Sequence, residues 1–328
     1  MALSSNGRKH TTNGHSKTKP AFIFPGQGSQ EVGMGLDLYE KSKAARRIFD
    51  DADQALGTSL TEVMFQGPAD TLERTVNAQP AILTMSLACL AAAKEKSGTV
   101  DSQLCFVAGH SLGEYTALAA AGVIDTSEAV WLVQERGRLM QEACDKHPGT
   151  MAAILGLDEE VVAEVCRETG AQVANINAPG QIVVSGGQDN VDKAVALATE
   201  RGARRTIPLR VSGAFHSYLM GPALEGMSKA LEAVTIRNPS TPVIANCSGK
   251  PLTSSWEVKE ELAQQICGCV RWHDSISYMV NAGVTSFIEF GPGQVLSGMV
   301  KRITDGTVEI SSVCDAASAA NLSNGYGR

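Results

Sequence analysis

The chain has no run of the roughly 20 apolar residues that an α-helix needs to cross a bilayer. Yet 43% of its 328 residues are hydrophobic. The nearest approach, Ala81 to Ala93, is interrupted by Thr84 and Ser86 and reads as a buried core helix, so no membrane contact is expected. The first twenty residues carry Arg8, Lys9, Lys17 and Lys19 without a single acid, and they lack the apolar stretch of a secretory signal. Residues 1–20 are expected to be a disordered polar tail, and residues 314–328 a flexible one. Basic residues are not in excess: a net charge of −7 excludes the electrostatic footprint of a general nucleic-acid binder. Among eight cysteines there is no C-x-x-C pair, and Cys267-Gly268-Cys269 is too close for ordinary chelation or an unstrained disulfide. Reduced structural thiols of a cytoplasmic protein are expected in preference to a metal site, with no bound cofactor.

What is present is a serine between two glycines. Gly109-His110-Ser111-Leu112-Gly113 follows the apolar run Leu104 to Ala108 and precedes the helix-like stretch Leu112 to Ala121. Strand, sharp turn and helix in that order form a nucleophile elbow, in which the flanking positions have no room for side chains. The serine then lies at a helix N-terminus, where backbone N–H groups and the helix dipole can stabilise an oxyanion. A glycine-rich chain also offers G-x-S-x-G by chance, and an incidental serine in a turn is the competing reading.

Strand and helix patterns alternate from Ala21-Phe22-Ile23-Phe24, through the loop Pro25 to Gln30, helices over Leu36 to Ala55 and Gln79 to Lys96, the elbow, and a helix from Thr126 to Lys146. This predicts a mostly parallel α/β sheet, an α/β-hydrolase-like large domain. Residues 150–211 read instead as strand, helix, two strands, helix and strand, the ferredoxin-like β-α-β-β-α-β unit. Strands at Pro242 to Asn246 and Ser286 to Phe290 resume the first pattern. The expected division is therefore a large domain over 21–149 and 212–313 with a small subdomain inserted at 150–211, and an active site in the cleft between them.

A serine nucleophile needs a base. His10 and His15 lie in the tail; His110 adjoins the serine but should point away; His147 precedes Pro148-Gly149 as a surface loop residue; His273 is at a helix start. His216, in Gly213-Ala214-Phe215-His216-Ser217 where the chain returns to the large domain, is either the base or a satisfied structural histidine. No obvious triad acid lies between Ser111 and His216, so a dyad oriented by a backbone or amide group is expected.

These residues resemble the acyltransferase family of fatty acid and polyketide synthesis, whose members include malonyl-CoA:acyl carrier protein transacylases. The likeness runs from about Ala21 to Val313 and rests on Phe24 to Gln30, Gln79-Pro80-Ala81, Gly109 to Tyr115, Gln134 to Gln141, Gly213 to Ser217 and Gly291-Pro292-Gly293. The resemblance implies that Ser111 is acylated by malonyl-CoA, that His216 moves the protons, and that the malonyl group passes to the phosphopantetheine thiol of acyl carrier protein by ping-pong transfer. It implies oxyanion donors at the backbone N–H groups of Gln27 and Leu112, each worth roughly 3 to 4 kcal/mol, and a backbone carbonyl near Gln265 that orients the histidine.

It also gives Arg136 the malonyl carboxylate, where residue spacing alone would read an exposed helix charge; Phe215 and Met140 would shape the acyl pocket. Where the family usually has proline, this chain has Cys269, which makes the orienting loop less stiff. An acidic carrier would dock on a basic surface, with Arg204, Arg205 and Arg210, or Lys301 and Arg302, as candidates. A monomer is the simplest expectation. The rival readings are a free-standing acyltransferase of a polyketide or polyunsaturated fatty acid synthase, a serine esterase or thioesterase, and a non-catalytic carrier-binding scaffold.

Overall fold

Every residue of the first strand, β1 (Pro20–Phe24), is buried, without the in-out alternation of a strand that faces water. That is the pattern of a central parallel strand covered on both faces. A computed structural model describes residues 18–325 except 99 and 102, with side chains described to 322. Residues 1–17 of the expected N-terminal tail lie outside the described residues, and Pro20 already belongs to β1.

The strand β2 (Phe106–Gly109) pairs parallel with one side of β1, so that Phe24 lies opposite Gly109. The next strands in the chain are β3 (Thr150–Leu155), β4 (Gln172–Ala178), β5 (Gln181–Gly186) and β6 (Arg205–Pro208), followed by β7 (Val243–Ile244), β8 (Pro251–Leu252), β9 (Ser286–Phe290) and β10 (Glu309–Val313). The larger sheet runs β10-β9-β1-β2-β7-β8 and is parallel except for the β7–β8 pair. Loops after β1, β2 and β9 leave the sheet at the carboxyl ends of neighbouring strands, where open α/β sheets place their ligands.

The smaller sheet is antiparallel with order β4-β5-β3-β6 and carries the helices Glu159–Thr169 and Gln188–Glu200. Its alternation separates two cores: Ala152, Ile154 and Val184 pack under its own helices, whereas Met151, Ala153 and Val183 turn to the main core. The ferredoxin-like reading holds. The small sheet is tied to the loop that follows the helix Ser255–Gln265, where Val270 N–H donates to Ala174 O at 2.8 Å and Ile176 N–H to Val270 O at 2.9 Å.

Two expectations change and a third, the buried core helix, is borne out. The helix read over Leu36 to Ala55 breaks into Leu36–Lys41 and Lys43–Leu56, because Ser42 turns extended and its side chain caps the second helix at Ala45 N–H. The tail read at 314–328 instead contains the helix Ala316–Gly325, nucleated by Asp315 Oδ1 accepting from Ser318 N–H at 2.7 Å and buried through Ala319 and Leu322. The apolar stretch around Ala81 belongs to a 22-residue helix, Thr75–Lys96, which is long and apolar enough to cross a membrane, but 83% of its apolar window is buried within the protein. Its low amphipathic contrast matches a helix surrounded by core on all sides.

Candidate active site

Ser111 adopts φ 51 and ψ −105, outside the regions that L-residues favour, at the start of the helix Leu112–Ala120. The flanking glycines permit it: a Cβ on Gly109 would lie 1.9 Å from the Gly113 carbonyl, and one on Gly113 would lie 2.1 Å from Phe24 O. Strain of this kind persists only where neighbours over-determine it. Here the clamp is Asn246, just past β7, whose Oδ1 accepts from Ser111 N–H at 2.7 Å while its Nδ2 donates to Gly109 O at 2.7 Å.

The hydroxyl meets a histidine. Ser111 Oγ lies 2.7 Å from His216 Nε2, and His216 Nδ1 lies 3.0 Å from two backbone carbonyls, Gln265 O and Gly268 O. Carbonyl oxygens only accept, so the proton resides on Nδ1 and Nε2 is free to accept from the serine. Burial, the Arg136 charge and His110 hold the His216 pKa down to about 3, which keeps the ring neutral. The loop supplying the carbonyls is tied down next to Cys269 by the Val270 bonds to β4, so rigidity that a proline would give comes here from strand pairing.

Arg136, on the helix Thr126–Lys146, is 1% exposed, which removes the reading of a solvated helix charge. Its Nη1 donates to Gln79 Oε1 at 2.8 Å, and its Nη2 to Gln265 Oε1 at 2.8 Å and to Ser111 Oγ at 3.2 Å. All are neutral acceptors, Nε has no partner, and among the described residues no carboxylate forms an ion pair with it. Burial lowers its pKa from the ordinary arginine range, but guanidinium stays charged in proteins. A buried cation beside a nucleophile, held by two amide oxygens, the serine hydroxyl and the face of the Tyr115 ring 5.3 Å away, is a site for an anion.

These groups open on a cavity of about 700 Å³ lined from both sheets, by Gln27, Ser111, Leu112 and Phe215 on one side and by Met151, Asn177 and Val183 on the other. Met140 and Arg136 also line it, and Met140 Sδ accepts from Gln79 Nε2 at 3.4 Å.

Residues 21–323 match the family described as "Acyl transferase domain". The chain belongs to this family. A malonyl CoA-acyl carrier protein transacylase of Bacillus subtilis is 50% identical over 87% of this chain and 90% of its own. An acyl-carrier-protein-S-malonyltransferase from Bartonella henselae superposes with a TM-score of 0.90 at 40% identity, over 95% of this chain and all (100%) of that one. A malonyl-transacylase solved in complex with its type II PKS acyl-carrier protein is similar at a TM-score of 0.89 and 37% identity, over 94% of this chain and 100% of that one.

In this acyl transferase domain the structure brings together Ser111, His216, Arg136, Gln265, Gln27, Leu112, Phe215 and Met140, as the sequence reading grouped them. His147 is exposed and His273 stands beside Asp274 on the surface. His110 turns from the serine to Asn177, 2.9 Å away, with its ring edge-on to Trp272. Gly268 and Asn246 were missed by sequence reasoning, while Gln79 and Glu114 stood inside the quoted motifs without a role. Asn246 could have been suspected from its place after a short apolar strand, the end at which parallel sheets carry their sites. All eight cysteines are free, and burial pushes Cys269 up to about 12, so it stays a thiol.

Proposed function

We propose that this protein transfers the malonyl group from malonyl-CoA to the phosphopantetheine thiol of acyl carrier protein, through a malonyl ester on Ser111, in fatty acid biosynthesis. The observation that carries the reading is the buried Arg136 guanidinium, 3.2 Å from Ser111 Oγ and without an ion-paired carboxylate among the described residues. An acyl group that brings its own carboxylate completes the pair, whereas an acetyl group leaves the charge unpaired.

In the first half-reaction His216 Nε2 takes the Ser111 hydroxyl proton as Oγ attacks the thioester carbonyl. The oxyanion faces the N–H groups of Leu112 and Gln27. Its collapse expels the CoA thiolate, which takes the proton back from His216. In the second half the carrier thiol gives its proton to His216, the sulfur attacks the ester, and Ser111 Oγ leaves with that proton. Gln265 O and Gly268 O hold the imidazole in the required tautomer and stabilise the transient imidazolium without an acid. Phe215 and Met140 wall the acyl end of the cavity. No bound cofactor or metal is needed in this scheme, which runs on the protein's own groups.

For the carrier, Arg210 lines the cavity mouth and Lys301 and Arg302 are exposed on the helix Val295–Ile303, whose Val295, Leu296 and Met299 border the same mouth. Arg210 and the pair Lys301 and Arg302 therefore suit an acidic partner presenting its arm to Ser111. The free thiols support a cytoplasmic location. We take the working unit to be a monomer, because both sheets that line the cavity come from one chain. A polyketide carrier as acceptor is the second reading, supported by the solved complex of a similar transacylase. An esterase would gain nothing from Arg136.

Two variants test the assignment by intact-protein mass spectrometry. Ser111→Ala should abolish acylation. Arg136→Ala should lose malonyl loading and gain acetyl loading relative to it, by on the order of 100-fold in their ratio, the size expected when a buried charge loses its partner. Unchanged selectivity in Arg136→Ala would remove the carboxylate from this site.

A further inference from the structure

The carboxyl of Glu114 takes no part in the proton path, yet it is fully buried in the first turn of the elbow helix. Its Oε1 accepts from Asn246 N–H at 3.2 Å and its Oε2 from Gln265 Nε2 at 2.7 Å. The same Gln265 nitrogen donates to Ser111 O at 2.7 Å, and the other end of that amide, Oε1, accepts from Arg136 Nη2 at 2.8 Å. A guanidinium can only donate, while carboxylate and carbonyl oxygens accept, so an amide between them has one workable orientation.

We propose that Glu114 is a positioning residue for acyl selectivity: by receiving the Gln265 amide N–H it turns the amide oxygen to Arg136 and so holds the guanidinium beside Ser111. The inference rests on the malonyl reading above and adds to it the group that aims the arginine. Burial and the neighbouring Glu261 raise the Glu114 carboxyl well above the usual carboxylate range. Both of its oxygens face N–H donors, and it meets them as an acceptor in either protonation state. Glutamine at this position must turn an N–H toward either Asn246 N–H or Gln265 Nε2, donor against donor, a buried mismatch that displaces the amide. Glu261 provides the contrast. It is also buried, at 8% exposure, but its carboxyl accepts from Cys247 N–H at 2.8 Å, whereas the Gln265 amide bonds to Arg136, Ser111 and Glu114.

The test follows acylation of the full chain by malonyl-CoA and by acetyl-CoA, with thermal unfolding measured in parallel. It compares wild type with Glu114→Gln, Gln265→Leu, the double variant and Glu261→Gln. Glu114→Gln should lower the malonyl-to-acetyl ratio of kcat/KM about tenfold, chiefly through KM for malonyl-CoA, and Gln265→Leu should do the same. The double variant should be no worse than either single one, since both break one chain of bonds, and Glu261→Gln should stay within about twofold of wild type. An unchanged ratio in Glu114→Gln, a parallel fall of both acyl rates, or an equal loss in Glu261→Gln would each overturn the proposal. If Glu114→Gln does not fold, Gln265→Leu decides, because it keeps the backbone carbonyl that His216 uses; an unchanged ratio there overturns it as well. Wild-type protein that malonyl-CoA fails to acylate would instead overturn the malonyl reading itself.

Discussion

His216 shows how a single residue can be half legible. Its place at the return from the small sheet marks it as facing the cleft, but nothing nearby in the chain reveals that its ring is completed by two carbonyls from residues 265 and 268. With its pKa held down to about 3, the imidazole remains unprotonated far below the range in which a free histidine titrates. The neutral form is the base, so kcat/KM for acylation should stay level as the pH falls from about 8 through 6.5 and decline only in more acidic solution. A rate that drops tenfold per unit below pH 6.5 would mean an imidazole of ordinary basicity. Ser111 was legible for a steric reason, since only glycine fits at 109 and 113. Asn246 was not, and Gln79 and Glu114 were visible only as motif members without a role, because each is an ordinary polar residue whose partners are brought to it only by the fold.

At the scale of elements, the elbow is held by its neighbour strand as much as by its own glycines. Asn246 bridges the end of β2 and the first N–H of the turn, and it comes from the end of β7. Asn246→Ala leaves Ser111 N–H and Gly109 O without their partners in a buried place, which costs about 1 to 3 kcal/mol for each group. Urea unfolding should show that loss, and acylation should slow because Ser111 is released from its strained φ. Undiminished stability would place the clamp elsewhere. The elements most legible in advance were those with a strong local signal: the continuous apolar runs of β1 and of β3 in the small sheet, and the long helix Thr126–Lys146. The helix Ala316–Gly325 escaped because its residues are small, and its signal was the cap Asp315 rather than an apolar stripe.

For the whole molecule, the site exists because two sheets of different construction meet over one cavity, and their junction is the same loop that orients His216. Val270 N–H to Ala174 O is one of the two bonds that tie this loop to the small sheet. Val270→Pro deletes it and should cost about 1 to 3 kcal/mol in urea unfolding, with acylation slowed further as the Gly268 carbonyl loses its fixed position. Full activity in that variant would mean the loop is held by other contacts. The two-sheet plan could be read from the order of strands and helices, but this junction could not, since a single bridge carries no periodicity. The measurement that bears most directly on the account is intact mass spectrometry of this chain mixed with malonyl-CoA or acetyl-CoA, then with holo acyl carrier protein, reading both masses. A malonyl adduct on Ser111 that moves to the carrier, with little adduct from acetyl-CoA, is the predicted result. An adduct lost to water while the carrier stays unloaded, or no adduct at all, would contradict it.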